Sequence, residues 1–320
     1  MLLARIYYFV SVFSFLLTTV SNVLLIILTR WYVRKNLGTY KHLIIIFSSI
    51  GLIYDFAEYI FQPMVHSFNS GFIYFSLIHS QYISNRVTEI ALAATASLFL
   101  SSSAFLAVMF IHRFFSVAKQ EQLYYFQGKR VTLWIFYALF FGLPCFAGWI
   151  QLCSIDEFSN NYFSSEVQNV YGKPLDTISA FSVIVFDENE KIRWKNAIFI
   201  IFVILSMLIQ NFIIFFCCFK IHTKIHDKNR NYSKSLRELH SQIFRTLVLQ
   251  FAIPTLFLFT PAFVIMILPF FGLQLSLPLG YSMCFFFLYP AIDSFIVMYI
   301  IKEYKKALHD FIFDVQDFFN

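Results

Sequence analysis

At 320 residues the chain is long enough for one or two water-soluble domains, yet 59% of it is apolar and only 13% charged, with a mean hydropathy of +0.68. A soluble domain carries about a quarter charged residues, so water is excluded as its main solvent. The net charge of +6 does not mark a nucleic-acid binder, because the basic residues sit in short clusters between apolar runs, where membrane topology accounts for them.

The first apolar run, residues 7–29, is too long for a signal-peptide core, has no convincing small-residue cleavage site, and ends in Arg30, Arg34 and Lys35. It reads as a membrane span. Further spans fall near 43–61, 88–111, 131–152, 197–219, 244–268 and 275–301, each about 20 residues long, as a hydrocarbon core of roughly 30 Å requires. The last two must be separated. No charged residue or His occurs from 246 to 292, which as a single helix would be about 70 Å long. Pro269, Gly272, Gln274, Pro278 and Gly280 supply the turn.

Taken in order, the second span carries Asp55 and Glu58, three apart and so on one side of a helix. Acids inside a bilayer are costly and point to function. Here two readings stand, carboxyls that tie helices together or groups that meet a ligand. The third span begins near Thr88 and Glu89 and ends at Arg113, whose plain reading is membrane anchoring. The connection 153–196 is polar and acidic, and Ser182-Val183-Ile184-Val185-Phe186 before an Asp-Glu-Asn turn reads as a strand of a hairpin lid. A solvated loop is the other reading. Pro254 and Pro261 lie seven apart in the sixth span, two turns of a regular helix, so their kinks share a face and form a hinge or are merely tolerated. In the seventh, Asp293 beside Pro290 is either a polar switch, with Asp55 and Glu58 as its partners through intermediates, or a group that satisfies carbonyls freed by the proline. After Lys306, Leu308, Phe311, Ile312, Val315, Phe318 and Phe319 recur at helical spacing opposite Asp310, Asp314 and Asp317. Residues 303–320 therefore read as an amphipathic helix on the inner leaflet.

With the N-terminus outside, 18 of the 24 Lys and Arg fall in inner segments, which fixes an N-out, C-in topology. The whole chain, 1–320, is thus expected to be a single all-α domain, a bundle of seven transmembrane helices. Asn231-Tyr232-Ser233, a glycosylation sequon, falls in a basic inner loop and is expected to go unused. Of five cysteines, Cys145, Cys217, Cys218 and Cys284 lie at membrane depth and only Cys153 faces an oxidising space, so no internal disulfide is expected.

Short motifs then gather on these spans. They are Leu37-Gly38-Thr39-Tyr40-Lys41, Gln62-Pro63 with His66, Ile111-His112-Arg113-Phe114, Phe244-Arg245-Thr246-Leu247-Val248-Leu249-Gln250, Tyr289-Pro290-Ala291-Ile292-Asp293 and Ile300-Ile301-Lys302-Glu303-Tyr304-Lys305. In this order, from Asn22 to Tyr304, the chain resembles the nematode Str-type seven-transmembrane chemoreceptors. His112 and Ser294 depart from that pattern, which usually has an aromatic residue before the Arg and a Pro after the Asp. The resemblance implies a G-protein-coupled receptor in the plasma membrane of a sensory neuron, at its cilium. It would bind a small odorant and activate a heterotrimeric G protein, with His112 and Arg113 at the coupling end. The ligand is expected in the outer half of the bundle, near Thr88 and Glu89, where aromatic and aliphatic residues favour a small, mainly apolar molecule. Receptor oligomers are compatible with this.

Enzymes lack their parts here: the sequence holds no zinc pair, nucleophile elbow, Walker loop or ligand-spaced Cys/His cluster, so no metal or cofactor is expected. A multi-pass transporter, an odorant-gated channel or a non-signalling receptor partner are the alternatives. The charge asymmetry and the lack of internal repeats speak against the first two.

Overall fold

The computed structural model describes residues 2–33, 38–78, 84–228, 234–273 and 275–319. Arg34, Lys35, Leu37, Arg230, the sequon at Asn231-Tyr232-Ser233 and the turn residue Gln274 lie outside the described residues, as does the side chain of Cys284. The helices are α1 (Leu2–Ile27), α2 (Tyr40–Phe61), α3 (Asn85–Ala118), α4 (Val131–Leu152), α5 (Glu157–Tyr171), α6 (Trp194–Lys228), α7 (Lys234–Pro254), α8 (Thr260–Ile267), α9 (Gly280–Ile300) and α10 (Lys302–Phe319). A widened π turn, Thr255–Phe259, joins α7 to α8 as one rod. With α1, α2, α3, α4, α6 and α9 it completes an all-α bundle of seven.

Five helices are long and apolar enough to cross a membrane, while the α7–α8 and α9 rods offer the shorter apolar stretches Thr260–Phe271 and Leu288–Ile300. In α3, 67% of the apolar window is buried, against 33–39% in the other four, so α3 is the central post. It packs on α2, α4 and α6. The outer faces reverse the soluble pattern. Ile201, Leu205, Leu208, Phe212, Phe215 and Phe219 run down α6 at helical spacing and are all exposed. In water each would forgo roughly 1.5–3 kcal/mol of burial; in hydrocarbon the stripe costs nothing.

One end of the bundle is capped by a four-stranded antiparallel sheet, β1 (Pro63–Phe68), β2 (Gly71–Ser76), β3 (Ser179–Ile184) and β4 (Ser276–Pro278), in the order β3-β2-β1-β4. It knits together the connections that follow α2, α4 and α8. Gln62 ends α2 in the left-handed region at φ 41°, its N–H donating to the Glu58 carbonyl, and throws the chain into β1. Asn69, also left-handed, makes the two-residue turn between Phe68 and Gly71. The helix α5 is started by an Asp156–Ser159 capping box and stopped by left-handed Gly172. Its Phe163 and Val167 seal a second small core with Ile73, Phe75 and Ile184.

The expected hairpin around 182–186 is corrected. The strand is Ser179–Ile184 and its partner is β2, more than a hundred residues earlier in the chain; only a single bridge, Phe186 to Ile192, remains of the local pairing. Val183, Ile184 and Val185 are fully buried, and a two-stranded local hairpin could not enclose both their faces. Cys153 does not face the outside either: it is 0% exposed, with its carbonyl accepting from the Ser182 N–H at 2.8 Å. The four described cysteines are free thiols.

His66 of β1 stitches the cap. Fully buried, it lies 3.1 Å from Glu166 through Nε2 and 3.1 Å from the Tyr171 hydroxyl through Nδ1, while Ser276 of β4 donates to Glu166 at 2.6 Å. Burial holds the imidazole below its ordinary value of 6.5, although the Glu166 carboxylate pulls the other way. The unfolded cap then takes up a proton more readily than the folded one, so stability is full above the ordinary value and declines as pH falls below it. Corrected amide exchange of β1 and β2 should accelerate between about pH 7 and pH 5.5, and His66→Asn should flatten that dependence. Equal protection at both pH values would contradict it.

At the opposite end Ile301, at φ −82° and ψ 118°, breaks α9 from α10. Tyr304 and Ala307 are buried, and the Tyr304 hydroxyl meets Thr29 Oγ1 at 2.8 Å. Tyr32 donates to Asp314 at 2.9 Å, while Ile312, Phe313 and Val315 stay exposed.

Candidate functional site

Beneath the sheet lies a cavity of about 100 Å³. Tyr54 and Glu58 of α2 form one wall, and Thr95, Ala96, Phe99 and Leu100 of α3 form the next. Cys145 and Trp149 of α4, Val203 and Met207 of α6, and Ala262, Ile265 and Met266 of α8 close the sides, with Pro63, Val65, Phe72 and Tyr74 of the β1–β2 hairpin as the roof. Trp149 is held in place by rings on three sides: Tyr74 at 5.1 Å, Phe181 at 5.5 Å and Phe199 at 4.8 Å. Gly148 allows this, since a Cβ there would come within 2.6 Å of Phe199. The wall is apolar but for Glu58, Tyr54, Tyr74 and Thr95. Tyr74 spends its hydroxyl on the Leu92 carbonyl at 3.3 Å.

A second, smaller space of about 30 Å³ adjoins it, sharing Tyr54 and Phe99 and bounded by Asn22, Gly51, Ser102, Pro290 and Asp293. It is the size of one or two waters. Here Asn22 of α1 donates to the Pro290 carbonyl at 3.2 Å and accepts from Ser294 at 2.8 Å, while Gln250 of α7 donates to Asp293 at 2.8 Å. Gln250 Nε2 thus engages a carboxyl that the sequence offered to the backbone carbonyls beside Pro290. Asp55 lies elsewhere, facing the Thr18 hydroxyl of α1. The acids expected to act together are therefore divided: Asp293 belongs to the polar layer, and Glu58 to the cavity wall.

The two spaces are linked mechanically. Phe99, shared by both, packs at 5.5 Å against Phe259, the last residue of the π turn. Thr255 and Thr260 hydroxyls donate to the Phe251 and Thr255 carbonyls, both at 2.7 Å, and so occupy backbone acceptors around that turn. The π turn also alters the expected hinge. Pro254 ends α7 and Pro261 opens α8, but the wide turn between them breaks the regular two-turn spacing, so a shared face no longer follows from their being seven apart.

Toward the opposite, basic end, His112 Nε2 meets Thr39 Oγ1 at 2.8 Å, stacks on Tyr40 and takes the edge of Phe126 at 4.8 Å. Arg113 is 5% exposed, with Nη1 3.4 Å from the Ser116 hydroxyl, and α3 runs on to Ala118. Neither residue is the exposed anchor that an Arg at a helix end suggests. The Lys302 backbone N–H donates to Gln242 at 3.0 Å and its ammonium pairs with Glu238, both on α7. Both side chains of that pair are well exposed, so it contributes at most about 1 kcal/mol.

Thr88 and Glu89, expected near the ligand, do not line the 100 Å³ cavity. Thr88 is seven residues before Thr95, about 10 Å nearer the capped end, and bonds to the Ser84 carbonyl. Glu89 pairs with Arg86 at 3.1 Å on the rim of a surface groove. Val65, Phe72 and Tyr74 of the roof escaped sequence reasoning, and Pro63 and Gln250 entered it only inside family motifs, with no role of their own. Among the described residues no group of His, Cys, Asp or Glu is placed to hold a metal ion.

The Asp293–Gln250 pair yields a measurable coupling. Removing one partner strands the other in a buried layer, where Gln250 Oε1 already has no donor. Gln250→Leu and Asp293→Leu should each destabilise the solubilised protein by about 1–3 kcal/mol, and the double variant by clearly less than their sum. Additive losses in thermal unfolding would rule the pair out as a structural link.

The family model "Serpentine type 7TM GPCR chemoreceptor Str" matches residues 7–309. The chain is 33% identical over 306 residues to the G-protein coupled receptor str-33 of Caenorhabditis elegans, covering 93% of this chain and 88% of that one. It is 29% identical over 315 residues to serpentine receptor class r-10 of Caenorhabditis briggsae, at 94% and 89% coverage. Among solved structures, squid rhodopsin superposes with a TM-score of 0.68 at 14% identity, over 97% of this chain and 86% of that one, a likeness of fold. The chain is a multi-pass membrane protein of a receptor family rather than an enzyme family, and it belongs to the Str family of serpentine seven-transmembrane G-protein-coupled chemoreceptors.

Proposed function

We propose that the 100 Å³ cavity is the ligand pocket, that the capped end faces outside, and that the basic end faces the cytosol and a heterotrimeric G protein. One observation carries this: the cavity touches α8 directly through Ala262, Ile265 and Met266, and touches the π turn through Phe99 and Phe259. A ligand that repositions α8 turns it about the π segment. The far arm, α7, is held by Gln250–Asp293 and by the exposed Lys302–Glu238 pair. Releasing that arm opens the basic end beside His112 and Arg113. The mainly apolar wall selects a small, mainly apolar ligand. The amphipathic α10 lies on the inner leaflet, its exposed Ile312, Phe313 and Val315 in lipid. The receptor resides in the plasma membrane, at the cilium of a chemosensory neuron.

The test is expression of this chain alone with a promiscuous Gα and a calcium reporter, screened against small organic compounds, with an N-terminal epitope read on intact cells. A ligand-evoked signal and an epitope reachable without permeabilisation are expected. An epitope reached only after permeabilisation would reverse the orientation and defeat the proposal.

A further inference from the structure

One oxygen in the cavity wall lacks a donor. Glu58 is 2% exposed and its Oε2 has no hydrogen-bond partner, although the Tyr54 hydroxyl lies beside the same carboxyl one turn back. Asp55, also 2% exposed, adds a second carboxyl on this side of α2. Among the described residues no Lys, Arg or His lines the cavity. Aromatic faces are plentiful, with Tyr54, Phe72, Tyr74, Phe99 and Trp149 all in the wall.

A carboxyl this deeply buried ionises only at a cost of several kcal/mol unless a counter-ion meets it, so a bound cation is what would let Glu58 carry its charge, and the site offers room for that charge as well as for a donor. An ammonium group answers both needs. It donates to Oε2 through a charge-assisted hydrogen bond, and it is attracted to the surrounding aromatic faces. A ketone or ester brings only acceptors, and an alcohol brings a donor without charge. A cavity of about 150 Å³ accepts benzene in another protein, so this smaller one suits about four to six non-hydrogen atoms.

We propose that this receptor recognises compact amines, with Glu58 as the residue that binds the ammonium group and the apolar wall as the fit for a short hydrocarbon body. This rests on the cavity being the ligand pocket. It specifies the head group, which the apolar wall alone leaves open.

The test uses the full chain, solubilised in detergent at neutral pH, where an alkylamine is protonated, with thermal unfolding as the readout. Isobutylamine, isobutanol and isobutyraldehyde are the probes, alike in size and differing in head group. The amine should raise the unfolding temperature at concentrations at least about tenfold lower than either neutral probe. Glu58→Gln should abolish that preference, and Glu58→Asp should keep part of it. Equal potency of alcohol or aldehyde, or no shift with the amine, overturns the proposal on the unaltered chain, whatever the variants do. Ala96→Phe separates the two levels. If it leaves amine binding intact, the pocket assignment itself fails; if it blocks binding of both probes and the unaltered chain binds amine and alcohol equally, only the amine assignment fails.

Discussion

Ala96→Phe should silence the receptor while leaving it on the cell surface. Ala96 lies on the cavity wall, on the central helix α3, among Thr95, Phe99 and Leu100. A phenyl ring placed there projects into space of about 100 Å³, about two thirds of the roughly 150 Å³ that accepts free benzene elsewhere, so the tethered ring takes up all of it. In a filled core such a change costs about 1–3 kcal/mol through overpacking. Here the ring enters existing space and gains contacts with Trp149, Met207 and Met266, so unfolding temperature should hold or rise. Ligand potency should fall at least about a hundredfold, since the ligand competes with a covalently tethered ring. Normal potency with normal surface expression would place the ligand elsewhere, for instance in the groove beside Arg86 and Glu89.

The bundle was legible because its cause is compositional. Lipid requires long apolar helices, and the basic clusters between them mark alternate ends. The cap was much less legible. Phe72-Ile73-Tyr74-Phe75 shows no polar alternation because β2 is buried on both faces, and its partners β1 and β3 come from connections about a hundred residues apart. Some of it had local signals: Asn69-Ser70-Gly71 is turn chemistry, and Asp156 three before Ser159 with Gly172 downstream marks the helix α5. The polar layer illustrates a different blindness. A search for costly charges finds Asp293, but it passes over Gln250 and Asn22, whose amides carry no charge and whose partners lie 43 and 268 residues away. Likewise Asp55 and Glu58 share one side of α2, yet one meets Thr18 of α1 and the other lines the cavity. Helical spacing tells which residues share a face, not what that face meets.

Arg113→Ala should disconnect signalling from binding. Arg113 lies thirteen residues beyond Leu100, the nearest cavity residue on the same helix, about 20 Å from the cavity, so it has no direct access to a ligand there. It is also enclosed in this state, with His112, Tyr40 and Phe126 packed across the basic end and Thr39 bonded to His112. A buried guanidinium reaches a cytosolic partner only after that packing opens, and opening is what a displaced α7 arm would permit. Maximal signal should therefore drop at least about tenfold, while ligand binding to the solubilised protein, free of G protein, should stay within about threefold of the parent. Arg113→Lys tests the chemistry further. Lysine keeps the charge but not the planar five-donor fork, so recovery by lysine would assign the role to charge alone, and failure would assign it to geometry. If Arg113→Ala signals fully at normal surface levels, Arg113 plays no part in coupling, and the partner must read other groups at the basic end, among them Lys119, Lys129 and Lys220.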